Sequence, residues 1–351
     1  MKKWISQEIN THEISIKENI KKKNNEYNYF KHFFKRKNLI IKLFGGILLL
    51  FFYFLQRKFL INYSNEISDN IIDFDNNFDY INYERDLISE KMKKNAGWRL
   101  KLEEAAFING LIRKHKPKNI LEIGVARGGS AVLILNAIKD IPDSRLVSID
   151  LFSNYNISEK IGHLVNEKFP ELMDKWKLYT GDMPHKFLSN LNLKFDCFFL
   201  DTAHITPGEF FNFIEALPFL NDNSIVILHD IIWHLHQISR TKLKDVKIIP
   251  TQIHLMSALI GKKIIIKYKA HDFLNIGAIF LAKNQKKYYF NYFLLLMTLW
   301  EYMPTVAQLT SFREFIKKYY NNNLFLRIFD NSLDYNKKFF QKLKNNKYKL
   351  N

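Results

Sequence analysis

Polar residues end five apolar segments in the middle of this sequence, and their types suit hydrogen bonding, proton transfer and metal binding. Carboxylates accept hydrogen bonds from hydroxyl groups, imidazole takes up a proton near neutral pH, and both bind metal ions. The residues at these ends are Glu122, Gly124, Asp150, Asp182, Asp201, His229 and Asp230. In an open α/β sheet, ligands bind outside the carboxyl ends of the strands. We therefore expect one ligand site built from these ends.

The segments that carry these residues have the composition of buried strands. Helix-compatible stretches separate them, which predicts a parallel sheet with helices on both faces. They are NILEIG (119–124), RLVSIDL (145–151), WKLYTGD (176–182), FDCFFLD (195–201) and SIVILHD (224–230). Two later stretches lie too close for a helical crossover, so we expect an antiparallel edge hairpin from KKIIIKY (262–268) and NIGAIFLAK (275–283). The predicted fold is α/β, with a doubly wound, mostly parallel, seven-stranded Rossmann-like sheet.

The turn after the first segment, GVARGGS at 124–130, restricts the choice of ligand. A dinucleotide fingerprint GxGxxG needs its second glycine so that the backbone can approach a pyrophosphate, and Ala126 occupies that position. The phosphate-binding pattern GxxxxGK[ST] is also absent. A glycine turn of this kind suits a nucleoside that carries an amino-acid tail, with Asp150 accepting hydrogen bonds from two ribose hydroxyls.

These residues resemble the class I S-adenosylmethionine-dependent methyltransferases, and most closely methyltransferase family 24. That family includes macrocin-type sugar O-methyltransferases and cephalosporin hydroxylase-like proteins. The resemblance runs from about residue 98 to 283 and rests on ILEIGVARGGSA, VSIDL, the GD at 181–182, FDCFFLDTAH and IVILHD. It implies S-adenosyl-L-methionine as the cofactor, with the ribose at Asp150 and the adenine amino group near Asp182. It implies a methionine pocket shaped by Glu122, Gly124, Gly128, Gly129 and Ser130.

Methyl transfer to an oxygen requires that the acceptor hydroxyl be aligned and lose its proton. His204, three residues after Asp201 in DTAH, is the first candidate for the base, and His229 is the second. For either histidine, a hydrogen bond to the backbone at the end of a strand remains the alternative interpretation.

Related O-methyltransferases hold a divalent metal at the acids that end strands four and five, and Asp201 and Asp230 match two such positions. The pattern departs at His229, where an acid would stand, and at Ile231, where an asparagine would stand. Magnesium prefers oxygen ligands, so a metal bound by His229 would be a softer ion. The sequence leaves the use of a divalent metal open.

The expected function is O-methylation of a hydroxyl on a saccharide or another small polar acceptor, and the saccharide rests on the resemblance alone. Two alternatives remain. Histidines at 229, 234 and 236, together with Asp230, indicate a metal-dependent hydroxylase or oxygenase. A membrane-tethered scaffold without activity is the other alternative, but a scaffold has no need of the glycine turn and Asp150.

Composition divides the 351 residues into segments around this domain, which covers 98–283. A basic polar tail (1–37), a hydrophobic helix (38–62) and a linker (63–97) precede it, and a helical extension (284–351) follows. The uninterrupted apolar stretch at 43–55 is shorter than the roughly 20 residues of a membrane span. We therefore expect a cytoplasmic protein in which residues 38–61 contact the membrane face or pack as an ordinary helix.

Charge and cysteine content exclude other classes. The formal net charge of +18 could attract an anionic partner, but the lysines are scattered and the abundance of Lys, Asn, Ile, Phe and Tyr is typical of AT-rich genomes. We therefore expect no nucleic-acid partner. The single cysteine, Cys197, excludes an intrachain disulfide. A homo-oligomer remains open.

Overall fold

The computed structural model describes residues 72–73, 100–232, 251–269 and 272–347. Within this part of the chain, eight strands form one sheet. They are β1 (Ile72–Asp73), β2 (Asn119–Ile123), β3 (Arg145–Asp150), β4 (Trp176–Thr180), β5 (Phe195–Leu200), β6 (Leu220–His229), β7 (Gly261–Lys269) and β8 (Asp272–Leu281).

Helices connect and follow these strands. Those before β7 are α1 (Leu102–His115), α2 (Gly129–Ile138), α3 (His163–Lys168), α4 (Pro184–Leu191), α5 (Gly208–Ala216) and α6 (Thr251–Ala258). Those after β8 are α7 (Tyr289–Leu294), α8 (Val306–Tyr320) and α9 (Asn323–Lys347). Short 3-10 helices lie at Pro170–Lys175, Leu217–Phe219, Gln285–Tyr288 and Leu295–Met297.

The strand order is β1-β7-β8-β6-β5-β2-β3-β4. The five strands from β2 to β6 run parallel, and β8 pairs antiparallel with both β6 and β7. From β2 the chain moves outward through β3 and β4, and then returns to add β5 and β6 on the other side. The order therefore reverses between β2 and β5, and the carboxyl ends of these two strands are where an open α/β sheet forms its ligand crevice.

Side chains of the central strands are buried on alternating faces. Leu121 and Phe198 belong to a core on one face, whereas Ile120 and Phe199 belong to a core on the other. A parallel strand covered on both faces is apolar at every position, which explains the continuous apolar runs in the sequence. Helices α1 and α2 supply one core, and α4, α5 and the C-terminal helices supply the other.

Aromatic residues pack the C-terminal helices against the sheet domain. The ring of Phe312 in α8 stacks on Phe211 of α5 with 4.0 Å between centroids. The hydroxyl of Tyr320 donates to the carbonyl of Ile214 over 2.6 Å. These aromatic residues of the extension therefore pack within the chain.

The structure confirms the α/β class, the seven expected strands and the antiparallel edge hairpin. β6 begins at Leu220 and β8 at Asp272, several residues earlier than expected. Leu220 pairs with Phe195 ahead of a register shift, and Asp272 pairs with Lys269 at the end of β7. The short β1 is an addition. It lies in the stretch expected to be a linker and pairs in parallel with β7.

Membrane contact was expected at residues 38–61, which lie outside the described residues. Among the helices that the structure does describe, none combines the length and the apolar character required to cross a bilayer.

Candidate active site

The predicted site residues meet where the sheet order reverses. The backbone amide of Gly124, just after β2, donates to the carbonyl of Ile149 in β3 over 3.0 Å. The amide of Asp201, just after β5, donates to the carbonyl of Ile123 over 3.1 Å. The glycine turn and the acid after β5 are therefore immediate neighbours at the carboxyl edge.

Backbone geometry explains two glycines of the turn. Gly124 has a φ of +90°, and a Cβ there would lie 1.9 Å from the carbonyl oxygen of Asp201. Gly128 has a φ of +97°, and a Cβ there would lie 3.1 Å from the Cα of Gly162. Both positions favour glycine, and Gly124 also lets the turn pack directly on the backbone after β5. Gly129 begins α2.

Asp150 holds the turn. Its Oδ2 accepts hydrogen bonds from the backbone amides of Val125 (2.9 Å) and Ala126 (3.1 Å). Its Oδ1 accepts one from the amide of Phe152 over 3.0 Å. A carboxylate offers about four acceptor positions, so one position on Oδ1 remains for a ligand. Asp150 therefore shapes the turn, and its expected ribose contact is limited to that oxygen.

Glu122 lies beneath the turn and is fully buried. Its carboxylate accepts hydrogen bonds of 2.5 Å from the hydroxyls of Ser130 and Ser148. Burial raises the pKa of Glu122 to about 7, although the two serine bonds act in the opposite direction. Glu122 thus supports the turn from within the protein, and the half-buried Ser130 connects it to the start of α2.

The loop after β3 folds back against the turn. Arg127 forms an ion pair with Glu159 at 3.0 Å, and its guanidinium lies 5.9 Å from the ring centroid of Tyr155. The amide of Gly162 donates to the carbonyl of Ala126 over 2.9 Å. Sequence reasoning did not identify these contacts, although an arginine inside a glycine turn is a signal for an acidic partner.

Asp182 lies apart from these groups. It is exposed after β4, where its Oδ1 accepts a hydrogen bond from the amide of Met183 over 2.7 Å. The neighbouring Gly181 donates its amide to the carbonyl of Asp150 over 3.1 Å. Asp182 therefore stands at the same edge of the sheet, one strand away from Asp150 and two strands away from the turn.

His204 lies among carboxylates on the other side of the crevice. Its Nε2 lies 2.7 Å from Asp230 Oδ2 and 3.5 Å from Asp201 Oδ1. Its Nδ1 lies 3.3 Å from Oε1 of Glu209, which is buried in α5. Burial lowers the pKa of His204, but these acids outweigh burial and raise it to about 10.

His229 is enclosed in a similar way. Its Nδ1 lies 3.3 Å from Asp201 Oδ2 and 3.6 Å from Asp230 Oδ2. Its Nε2 lies 3.7 Å from Oε2 of Glu104 in α1. Burial opposes protonation, yet the charges of these acids raise the pKa of His229 well above its ordinary value. The surrounding acids therefore favour the protonated form of both histidines.

Three further residues complete this cluster. Glu104 accepts from the amide of Asn275 over 3.2 Å, and the Asn275 side chain donates to Asp230. Glu209 accepts from the side chains of Thr202, Thr251 and Gln252. Sequence reasoning missed all three residues. Both glutamates lie in the first turn of a helix, where acids are common, so no signal in the sequence marked them.

The cluster has the donors of a divalent metal site. Asp201, His229 and Asp230 each offer a ligand atom, and these atoms lie within 4.8 Å of one another. Both ring nitrogens of His229 are buried, and neither has a well-aligned hydrogen-bond partner among the described residues. Such nitrogens are available as ligands, so these residues fit a metal. Two carboxylates and one imidazole suit ions softer than magnesium.

A family comparison identifies the domain that holds this site. Residues 121–231 match the model of a methyltransferase domain, methyltransferase family 24. The chain carries a family 24 methyltransferase domain. The match begins in β2 and ends just after Asp230, so it contains both the glycine turn and the histidine–carboxylate cluster. The expected family is thereby confirmed. No curated protein matches the chain significantly.

Solved structures similar to the methyltransferase domain include several O-methyltransferases. TomG from Streptomyces achromogenes, involved in tomaymycin synthesis and solved with SAM, is 15% identical at a TM-score of 0.42, covering 59% of this chain and 99% of that one. The O-methyltransferase from Bacillus cereus, solved with SAH, is 18% identical at a TM-score of 0.43. The match covers 57% of this chain and 96% of that one. MycE of the mycinamycin pathway, solved with Mg, SAH and mycinamycin VI, is 14% identical at a TM-score of 0.37. The match covers 57% of this chain and 55% of that one.

Proposed function

We propose that this protein is an S-adenosyl-L-methionine-dependent O-methyltransferase that acts on a hydroxyl of a saccharide or another small polar acceptor. The observation that carries the proposal is that the glycine turn and the histidine–carboxylate cluster lie side by side. A glycine turn held by Asp150 lies directly beside a cluster of two histidines and four carboxylates, and Gly124 packs on the backbone of Asp201. A methyl donor on the turn would present its methyl group towards groups that can bind a hydroxyl.

The turn supplies the donor site in this proposal. Gly124, Gly128 and Gly129 give the backbone its approach to the methionine portion. The free acceptor position on Asp150 binds one ribose hydroxyl, and Asp182 receives the adenine amino group from the neighbouring strand end. Glu122 and Ser130 keep the turn in shape from beneath, because their hydrogen bond joins β2 to the start of α2.

The cluster supplies the acceptor site. His204 is the first candidate for the base and His229 the second, but both are protonated while the surrounding acids remain charged and metal-free. A divalent ion held by Asp201, His229 and Asp230 would supply a positive charge that lowers the pKa of an acceptor hydroxyl. With those acids engaged, His204 would lose part of the charge that raises its pKa. A larger fraction of His204 would then be neutral and available to take the proton of the acceptor hydroxyl.

Isothermal titration calorimetry with S-adenosylhomocysteine tests the proposal. We expect the folded wild-type protein to bind one equivalent, and Asp150→Ala to bind far more weakly. A matched control is Asp334→Ala, because Asp334 lies on the exposed face of α9, where it pairs with Lys338. Circular dichroism must show that each variant is folded. No binding by folded wild type would defeat the proposal, and unchanged affinity of Asp150→Ala would remove Asp150 from the site.

A metal-dependent hydroxylase or oxygenase is the second candidate. It is favoured by the convergence of His229 with Asp201 and Asp230, since imidazole and carboxylate ligands also bind non-haem iron. The additional histidines at 234 and 236 lie outside the described residues. Metal analysis of the purified protein separates the candidates. Stoichiometric iron without affinity for S-adenosylhomocysteine would favour the oxygenase.

Location and partners remain proposals as well. We propose a cytoplasmic protein in which residues 38–61 contact the membrane face, and a homo-oligomer remains open. Carbonate extraction of the native membranes tests the membrane contact. Release of all the protein into the soluble fraction would contradict it.

A further inference from the structure

An exposed row of basic and apolar residues follows β8. It consists of Lys283, Lys286, Lys287, Phe290, Leu294 and Met297, and we call it the basic–apolar stripe. Lys287, Phe290, Leu294 and Met297 follow one another at steps of three, four and three residues, which places them on one face of a helical run. Phe290, Leu294 and Met297 are 42%, 44% and 49% exposed.

The opposite face of the same run is firmly packed. Tyr292, Phe293 and Leu296 are fully buried, and Phe293 stacks on Phe325 of α9 with 4.5 Å between ring centroids. One apolar face of this helical run therefore packs against the protein and fixes its position, while a second apolar row is exposed to solvent. Single exposed apolar side chains are ordinary, but three in a row on a fixed helix mark a contact surface.

Positive charge collects at one end of this row. Within the described part of the chain, Lys283, Lys286 and Lys287 form no ion pair with a carboxylate. Lys194 lies close enough that, in addition to burial, the charge of Lys286 lowers its pKa. Asp222 is an acid at the start of the run, where its Oδ1 accepts the amide of Asn284 over 3.2 Å. The lysines thus outnumber the acids at this end.

We propose that the basic–apolar stripe docks on an anionic lipid surface. The lysines would bind the headgroups, and Phe290, Leu294 and Met297 would enter the boundary between headgroups and acyl chains. Interfacial helices have this composition, with lysine on the polar part and bulky apolar residues beside it. A protein partner is a poorer fit, because lysine is depleted in protein–protein interfaces. The stripe consists of residues other than 38–61, and the proposal does not depend on the activity of the domain.

The position of the lysines keeps docking and catalysis apart. Asn284 contacts Asp222 near the start of β6, whereas His229 ends the same strand at the candidate site. Seven residues of extended chain separate the two positions by roughly 20 Å. Headgroups bound at the lysine end therefore do not compete with ligands of the crevice.

A fluorescent label on the stripe tests this proposal in the full-length protein. Cys197 is fully buried and burial raises the pKa of its thiol to about 12, so an introduced cysteine can be labelled selectively. The variant Leu294→Cys carries an environment-sensitive dye on the stripe. Val306→Cys is the matched control, because Val306 is 80% exposed and lies outside the stripe, at the start of α8. Vesicles of phosphatidylcholine, with or without phosphatidylglycerol, are the probe.

We expect the emission of the label at position 294 to shift to the blue with phosphatidylglycerol vesicles, and the label at 306 to stay unchanged. Replacing all three lysines of the stripe by glutamine in the Leu294→Cys background should weaken this response on the order of 100-fold. An equal shift with neutral vesicles would overturn the proposal. So would an unshifted label at 294 while the protein sediments with vesicles, since another segment would then bind. A label already blue-shifted without vesicles would show that protein covers the stripe.

Discussion

His204 Nε2 lies 2.7 Å from Asp230 Oδ2, and the two residues follow neighbouring strands of the sheet. Both have left-handed backbones, with φ of 56° and 59°. Such conformations are uncommon for residues other than glycine, and surrounding contacts must maintain them. The pair therefore joins the two loops that form one wall of the candidate site.

The charge of Asp230 should control the protonation of His204. Asp230→Asn keeps the size of the side chain but removes a negative charge from Nε2. We expect the pKa of His204 to fall from about 10 towards its ordinary value of 6.5, because burial then acts with less opposition. NMR titration of the imidazole in the presence of a chelator measures this change. An unchanged pKa would show that Asp230 does not hold the proton on His204.

The two glycines of the turn should differ in their tolerance of a methyl group. Both have nearly the same φ, so alanine at either position carries a backbone cost of about 1–2 kcal/mol. Gly124→Ala also drives a Cβ into the carbonyl of Asp201, whereas Gly128→Ala meets its neighbour at a tight but adjustable distance. Urea denaturation should therefore show Gly124→Ala as the less stable variant by several kcal/mol. Equal losses would contradict the close packing of the turn on Asp201.

The burial of Glu122 should make stability depend on pH. Its pKa of about 7 in the folded protein exceeds its ordinary value of 4.5, so folding favours the protonated carboxyl. The resulting stabilisation is complete below pH 4.5 and is lost as the pH rises through 7. The effect corresponds to about 3 kcal/mol.

The variant Glu122→Gln tests this dependence, because glutamine stays neutral. The free energy of unfolding of the variant minus that of wild type should increase by about 3 kcal/mol when the pH is raised from 4.5 to 8. Denaturation curves at several pH values measure this difference, and Glu314→Gln on the exposed face of α8 is the control. A difference that does not vary with pH would mean that Glu122 is charged in the folded protein.

The C-terminal extension should hold the loop that carries His204. Glu301 accepts the amide of Thr206 over 2.7 Å, and its own amide donates to the carbonyl of Thr206 over 3.0 Å. Glu301→Ala leaves a buried amide without its acceptor, so we expect a loss of about 1–3 kcal/mol and faster amide exchange around Thr206. Glu314→Ala should change stability by less than about 1 kcal/mol, because its ion pair with Lys317 is exposed. Similar losses in both variants would contradict this role.

Much of the fold could be predicted from local sequence. Strands β2, β3, β5 and β6 are continuous apolar runs that end in polar residues, and this pattern indicates both a parallel sheet and its functional edge. The short spacing between β7 and β8 likewise required an antiparallel pair. The two-residue β1 has too little sequence to produce a pattern, so only its pairing with β7 reveals it.

The candidate site was less accessible to sequence reasoning. His204, His229, Asp201 and Asp230 each follow a strand and were therefore found, but Glu104 belongs to a helix that precedes the sheet. Its contact with Asn275 joins residues that are 171 positions apart, and no local pattern encodes such a pair. The backbone bonds of Asp150 were missed for a similar reason, since a strand-end acid can bind either a ligand or a neighbouring turn.

Hydrogen–deuterium exchange with S-adenosylhomocysteine tests the central claim most directly, because it reports both that the ligand binds and where. We predict slower exchange in peptides that cover residues 124–131 and 150–153, with little change in α9. These are the amides of the glycine turn and of the loop held by Asp150. A folded protein with no slowing in these peptides at saturating ligand, or with slowing only elsewhere, would contradict a methyl-donor site at the turn.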